Sequence, residues 1–301
     1  MSDLETGSVE ANGLRFAYLA RGAGPLALCL HGFPDHPLSF AGQLEAFAAA
    51  GYRAVAPFMR GYGATAVPAP QHFQGAALAR DAVALIDALG GGRAVLLGHD
   101  WGAFAAYGAA VLAPDKVAKL ITLAVPYGPG LRQALLADPV QQRRSWYMFF
   151  FLSPFAEAAV AREDFAFLGR LVADWSPGWT PPAPYREAVK VLFRAPGTLP
   201  AALGYYRHAF RPELQSPALR ADQERLGAEP VRVPTLYLHG ARDGCIGAEL
   251  VQGMEALFPR GLTTRVVPGA GHFLHLENPR EVNDAILRFL AASGSETTER
   301  R

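Results

Sequence analysis

Four stretches of the chain are apolar almost without interruption: LALCLHG (26–32), RAVAPFM (53–59), RAVLLGHD (93–100) and KLITLAVP (119–126). A strand with one wet face alternates apolar and polar residues. These do not, so they read as strands covered on both faces, as in a parallel sheet. Between them lie helical stretches, PLSFAGQLEAFAAAG, QGAALARDAVALIDALG and AFAAYGAAVLAP, each ended by Gly or Pro. Ahead of them, VEANGLRFAYLA reads as a β-hairpin turning at Asn12-Gly13. Strands alternating with helices predict a right-handed, doubly wound, mostly parallel α/β sheet.

From about residue 130 to 225 this rhythm stops. The pieces SWYMFFFLSPFAEAAV, REAVKVLFRA and ALGYYRHAF are helical and rich in aromatics, and Pro clusters such as SPGWTPPAPY break them. The rhythm returns with TLYLHGARD (235–243), a helix GAELVQGMEALF, a strand TTRVVPG and a last helix REVNDAILRFLAAS. The expected organisation is one sheet domain, 1–130 and 226–301, interrupted by a helical insertion at 131–225. The polar tail SGSETTERR is expected to be disordered.

Composition narrows the partners. Half of the 301 residues are apolar, 18% are charged and the formal net charge is +1, so neither nucleic acid nor an anionic membrane is expected. The opening MSDLETGSVEANG carries acids and no apolar run, so neither a signal peptide nor an anchor is expected. Cys29 and Cys245 lie far apart without metal-ligand spacing, and Cys29 reads as a small core residue. A reducing, cytoplasmic setting follows, with no metal and no cofactor; a homodimer is allowed for.

The chemistry is concentrated at strand ends. VLLGHDWGAF has the order strand, Gly98-His99-Asp100-Trp101-Gly102, helix, which is a nucleophile elbow with Asp in place of the usual Ser. The helix N-terminus behind it would stabilise a carboxylate. Asp243 ends a strand in LHGARDG and His272 follows the next in PGAGHFLHLENP, giving the chain order nucleophile, acid, base. His31-Gly32-Phe33-Pro34 follows another strand, where a second oxyanion-hole donor belongs.

HGFPD, RGYGAT (60–65), GHDWG, the Asp243 segment and GHFLHLENP together resemble the epoxide hydrolase and haloalkane dehalogenase branch of the α/β-hydrolases, over residues 8 to 293. The resemblance implies an α/β-hydrolase fold with a helical cap and catalytic Asp100, Asp243 and His272. It also implies an oxyanion hole from the N–H groups of Phe33 and Trp101. A carboxylate displaces a leaving group from saturated carbon, and the resulting ester is hydrolysed by water activated at His272.

The leaving group separates the two substrate classes. Halide departs with hydrogen bonds alone, whereas an opened epoxide is an alkoxide about as basic as hydroxide (water pKa about 15.7) and calls for a proton donor. Members that open epoxides place two cap tyrosines there. LGYYR matches one such motif and makes Tyr206 the acid, while counting back from Pro154 puts Phe150 at the first position, with Tyr147 one helical turn earlier as a substitute. HGFPD lacks the polar residue many haloalkane dehalogenases carry after HG, and GHDWG lacks the arginine of haloacetate enzymes. Epoxide hydrolysis of a small apolar substrate is therefore the expected activity, with haloalkane or haloacid dehalogenation as the alternative. A non-catalytic binding role fits an intact Asp100, Asp243 and His272 poorly.

Trp146, Tyr147 and Phe150 are candidate pocket residues, although the cluster from Trp146 to Phe151 reads equally as cap packing. His31 and His99 are expected to tie loops together, and His275 and Glu277 to shape the His272 loop. His36, His72, His208 and His239 show no metal-ligand spacing. Gly61 and Gly63 read as a turn, because a phosphate loop would need Lys and a different Gly spacing.

Overall fold

The computed structural model describes residues 4–292. Eight strands form one sheet: β1 (Glu5–Ala11), β2 (Leu14–Arg21), β3 (Leu26–Leu30), β4 (Arg53–Pro57), β5 (Ala94–His99), β6 (Val117–Leu123), β7 (Thr235–Gly240) and β8 (Leu262–Val267). Their order is β1-β2-β4-β3-β5-β6-β7-β8. β1 and β2 form the expected hairpin, Asn12 and Gly13 both adopting positive φ, and β2 pairs antiparallel with β4. Every other pairing is parallel.

The unbroken apolar runs are explained by two cores. Leu28 and Leu30, Leu96 and Leu120 point to one face, while Ala27 and Cys29, Val95 and Leu97, Ile121 and Leu123 point to the other. On the second face Leu44 and Phe47 of α1 (Ala41–Ala49) pack with Val282 and Ile286 of α12 (Pro279–Ala291). On the first lie α2 (Gly75–Ala88) and α3 (Trp101–Leu112). α3 is so rich in Ala and Gly that it sits buried on nearly every side.

Between β6 and β7 the chain is helical: α4 (Gly130–Ala137), α5 (Pro139–Arg144), α6 (Trp146–Phe150), α7 (Ala156–Trp175), α8 (Ala183–Arg194), α9 (Thr198–Phe210) and α10 (Arg220–Arg225). A short α11 (Leu274–Glu277) follows the His272 loop. Two expected helices differ. GAELVQGMEALF forms two 3-10 segments, Ala248–Val251 and Met254–Leu257, parted at Gly253 with φ 84°. The run from Ser145 to Val160 breaks around Pro154, and α7 kinks where Glu163, Asp164 and Phe165 all take positive φ. No helix among the described residues is long and apolar enough to cross a membrane. The tail expected to be disordered lies outside the described residues.

Candidate active site

β5 ends at His99 and α3 starts at Trp101, leaving Asp100 alone in the turn with φ 52° and ψ −121°. Such a backbone costs a non-glycine residue about 1–3 kcal/mol. Packing imposes it. A Cβ on Gly102 would stand 1.8 Å from the Leu30 carbonyl oxygen, so α3 can start this close to β3 only with glycine there. Gly32 serves the same end, since a Cβ there would stand 2.3 Å from Asp100 Oδ1. The Phe33 N–H then donates to Asp100 Oδ1 at 2.8 Å. Trp101 opens α3 directly behind the carboxylate.

The loops after β7 and β8 bring Asp243 and His272 to the same point. His272 Nδ1 lies 2.9 Å from Asp243 Oδ2, and its Nε2 lies 3.6 Å from Asp100 Oδ2. The N–H groups of Cys245 and Ile246 donate to Asp243 Oδ1 at 2.7 and 2.9 Å. Burial would raise the pKa of Asp243, but His272 and His239 beside it outweigh that, and the carboxyl is held well below its usual range. Burial would likewise lower His272. Cys245, Asp243 and Asp100 around it reverse the effect and hold it well above the usual imidazole value.

Two phenols hang over this group. Tyr206 of α9 is buried, with ring centroids 5.0 Å from Trp101 and 5.4 Å from Phe33. Its hydroxyl has no hydrogen-bond partner; the Trp101 indole lies near it without hydrogen-bond geometry. Tyr147 of α6 is fully buried, its ring 5.7 Å from Tyr206 and its hydroxyl 3.2 Å from Cys245 Sγ. Burial, with Asp100 nearby, pushes both phenols well above 10, so they stay protonated.

Phe150 and Trp146, the other two expected pocket residues, do not join them. Phe150 stacks on Phe167 at 5.6 Å, and Trp146, 43% exposed, packs outside against the same two rings. Tyr147 on α6 and Phe151 just past its end, four residues apart, both point inward, which leaves Phe150 turned toward α7. Of the two residues weighed for the first-tyrosine position, Tyr147 faces Tyr206, at 5.7 Å beside the Phe151 ring at 5.0 Å, and Phe150 does not.

The loop histidines behave as expected. His31 Nε2 accepts from the Met59 N–H and its Nδ1 meets the Gly32 carbonyl, while His99 Nε2 meets the His272 carbonyl. Glu277 accepts from the Gly271 N–H and from Ser176 Oγ. Among the described residues, two clusters have donor atoms within 4.8 Å of one another, Asp243 with Cys245 and His272, and Asp35 with His99 and His275. In the first, His272 Nδ1 and Asp243 are already bonded to each other.

Several contributors escaped the sequence reading. The Trp175 carbonyl accepts from the N–H groups of both Gly244 and His272, and its ring lies 5.3 Å from His272. Cys245 lies two residues past Asp243 but has no motif of its own in the sequence, and Asp35 is there only the last residue of HGFPD. Tyr185, whose hydroxyl donates to Asp35, carries no local signal, because α8 meets that loop only after folding.

A profile of the α/β-hydrolase fold matches residues 25–279. The chain belongs to the α/β-hydrolase family. Within it, this α/β-hydrolase is 33% identical over 288 residues to epoxide hydrolase 3 of Xenopus tropicalis, covering 93% of its own length and 75% of that protein's. It is 30% identical to an epoxide hydrolase of Caballeronia sordidicola, over 94% and 92% of the two chains. A crystal structure of Bacillus megaterium epoxide hydrolase with an inhibitor superposes with TM-score 0.83 at 28% identity, covering 95% of this α/β-hydrolase and all of that chain.

Proposed function

We propose that this α/β-hydrolase opens small apolar epoxides to diols through an ester on Asp100, beneath a cap formed by residues 131–225. The observation that carries the reading is the pair of buried phenols, Tyr206 and Tyr147, beside a carboxylate at the elbow. A halide leaving group needs no acid, whereas an epoxide oxygen becomes an alkoxide and needs one. An Asp100 oxygen attacks an epoxide carbon, the C–O bond breaks, and a phenol delivers its proton to that oxygen. Alkylation removes the Asp100 charge that helps raise the His272 pKa, so the ring gives up that proton; water then adds to Asp100 Cγ while giving a proton to His272 Nε2, which Asp243 holds in line. The Phe33 and Trp101 N–H groups hold the oxyanion that forms on Asp100. Collapse expels the diol oxygen, which takes the proton from His272, and the acid proton left on Asp100 restores the phenol. The epoxide hydrolase names of its relatives agree with this choice.

The test offers styrene oxide and 1-bromobutane in parallel and measures diol and bromide. Diol from the epoxide with little bromide is expected. Bromide without diol would instead make the phenols bystanders and the protein a dehalogenase.

A further inference from the structure

The last carbonyls of a helix have no partner within it and must find donors elsewhere. α7 ends at Trp175, which is buried, and the Trp175 carbonyl accepts from the Gly244 N–H at 3.0 Å and the His272 N–H at 3.1 Å. The first of these belongs to the loop after β7, which carries Asp243, and the second to the loop after β8. Ser176, next along and also buried, ties itself to the second loop. Its Oγ donates to Glu277 Oε1 at 2.6 Å and accepts from the Phe273 N–H at 3.3 Å, while Glu277 Oε2 accepts from the Gly271 N–H at 2.7 Å. The consecutive N–H groups of Gly271, His272 and Phe273 are thus all taken by the end of α7 or by the carboxylate it bonds. Two glycines make room for this approach. A Cβ on Gly244 would stand 2.1 Å from the Asp174 carbonyl oxygen, and one on Gly271 would stand 2.6 Å from Ser176 Cα. Neither takes positive φ, so it is the closeness of α7, not the backbone, that calls for glycine. The Trp175 ring adds to the contact, 5.3 Å from the His272 ring and stacked on Phe273 at 6.5 Å. The proposed reaction uses none of these groups.

From this geometry we infer that the end of α7 positions the base: the Trp175 carbonyl and the Ser176 hydroxyl fix the backbone at His272 and join its loop to that of Asp243. Trp175 and Ser176 are positioning residues, and the inference rests on His272 being the base of the proposed reaction. α7 belongs to the segment proposed as cap, so the base is assembled only when that segment is seated. The signature is selective. Ester hydrolysis needs His272 in line with a water, whereas attack by Asp100 does not. If α7 merely held its segment down, Tyr147 on α6 and Tyr206 on α9 would shift with it, and attack would suffer equally.

Two measurements decide it. The first is amide hydrogen exchange followed by NMR. The His272 and Gly244 amides share one acceptor, so in the wild type, corrected for their intrinsic rates, they should exchange at a common rate. Rates more than about tenfold apart, the mark of loops that open separately, would overturn the inference without any variant. The second resolves the two chemical steps for an epoxide by rapid quench and mass spectrometry, in wild type, Ser176→Ala, Ser176→Cys and Gly271→Ala. Misplacing a reacting group costs up to about 10² in rate, so Ser176→Ala should slow decay of the Asp100 ester about tenfold. Gly271→Ala drives a methyl group into Ser176 and should slow it by up to about a hundredfold. Alkylation of Asp100 should stay within about threefold of wild type in both. Ser176→Cys, which keeps a weak donor, should lose less than Ser176→Ala. Unchanged ester decay in Ser176→Ala, or alkylation and decay slowed together, would overturn the inference. Should Gly271→Ala fail to fold, the wild-type exchange and the Ser176 variants still decide. A wild type that yields neither adduct nor diol would defeat the functional reading instead, and exchange in wild type and Ser176→Ala would still test the hold on His272.

Discussion

At Asp100 the backbone and the side chain answer to different needs. With φ 52° and ψ −121°, the backbone suits glycine, while the proposed chemistry needs a carboxylate. Asp100→Gly and Asp100→Ala both remove the carboxylate, so their difference isolates the strain. In an ordinary helix or strand the Ala variant would be the more stable by roughly 0.5–1 kcal/mol. Here the Gly variant should unfold at the higher urea concentration, and equal midpoints would mean the turn is unstrained. The phenols come next. Tyr206→Phe should slow alkylation of Asp100 by about 10²–10³, the usual loss for one donor to a developing oxyanion, as read by rapid quench and mass spectrometry. Tyr147→Phe should slow it too, while Phe150→Ala should not. The sequence made Tyr206 legible through LGYYR but left its partner open between the Phe150 position and Tyr147, because one helical turn on α6 decides which ring points inward and neighbouring aromatics look alike. Titration gives a third expectation. His272 is held above its unfolded value of about 6.5, so its stabilisation is full below that pH and is lost as pH rises through the folded value. Asp243 and Asp35 are depressed, so theirs is present above about pH 4 and lost as pH falls through their folded values. Urea midpoints should therefore be highest between about pH 4 and 6.5, and His272→Gln should flatten the alkaline decline.

Among the elements, the strands were the most legible, because burial on both faces leaves a run such as LALCL no polar position to alternate with. The start of α3 was also written plainly, since close approach to β3 demands small residues. Gly102→Ala would drive a methyl group into the Leu30 carbonyl, and overpacking of this kind typically costs about 1–3 kcal/mol or more. Gly92, with open space around its Cβ position, should accept Ala within about 0.5 kcal/mol. Chemical denaturation of the two variants checks the contrast. Illegible elements were those whose shape is set from a distance. Residues 248–257 have helical composition, yet Gly253 divides them into 3-10 turns. Nothing local in Glu163-Asp164-Phe165 announces the kink in α7. The Trp175 carbonyl became a ligand for two loops only once the end of α7 lay between them.

Across the whole molecule, Asp100, His272, Tyr147 and Tyr206 are each at most 5% exposed. Helices drawn from the segment between β6 and β7 close over loops drawn from both sides of it. That enclosure settles more than which substrate enters. The ester proposed on Asp100 is an electrophile that any small nucleophile could intercept, a thiol or an amine as well as water. Behind closed helices the choice is made by admission rather than by reactivity, since only a molecule already inside beside His272 can react. Turnover of an epoxide in the presence of a large excess of β-mercaptoethanol or an amine should therefore yield diol with no enzyme-dependent thioether or amino alcohol, as gas chromatography against an enzyme-free control would reveal. Mixed products would mean that the helices part while the ester lives. On the proposed mechanism, fidelity of product would be a property of the timing of these helices: the molecule would keep the ester for water by outlasting it.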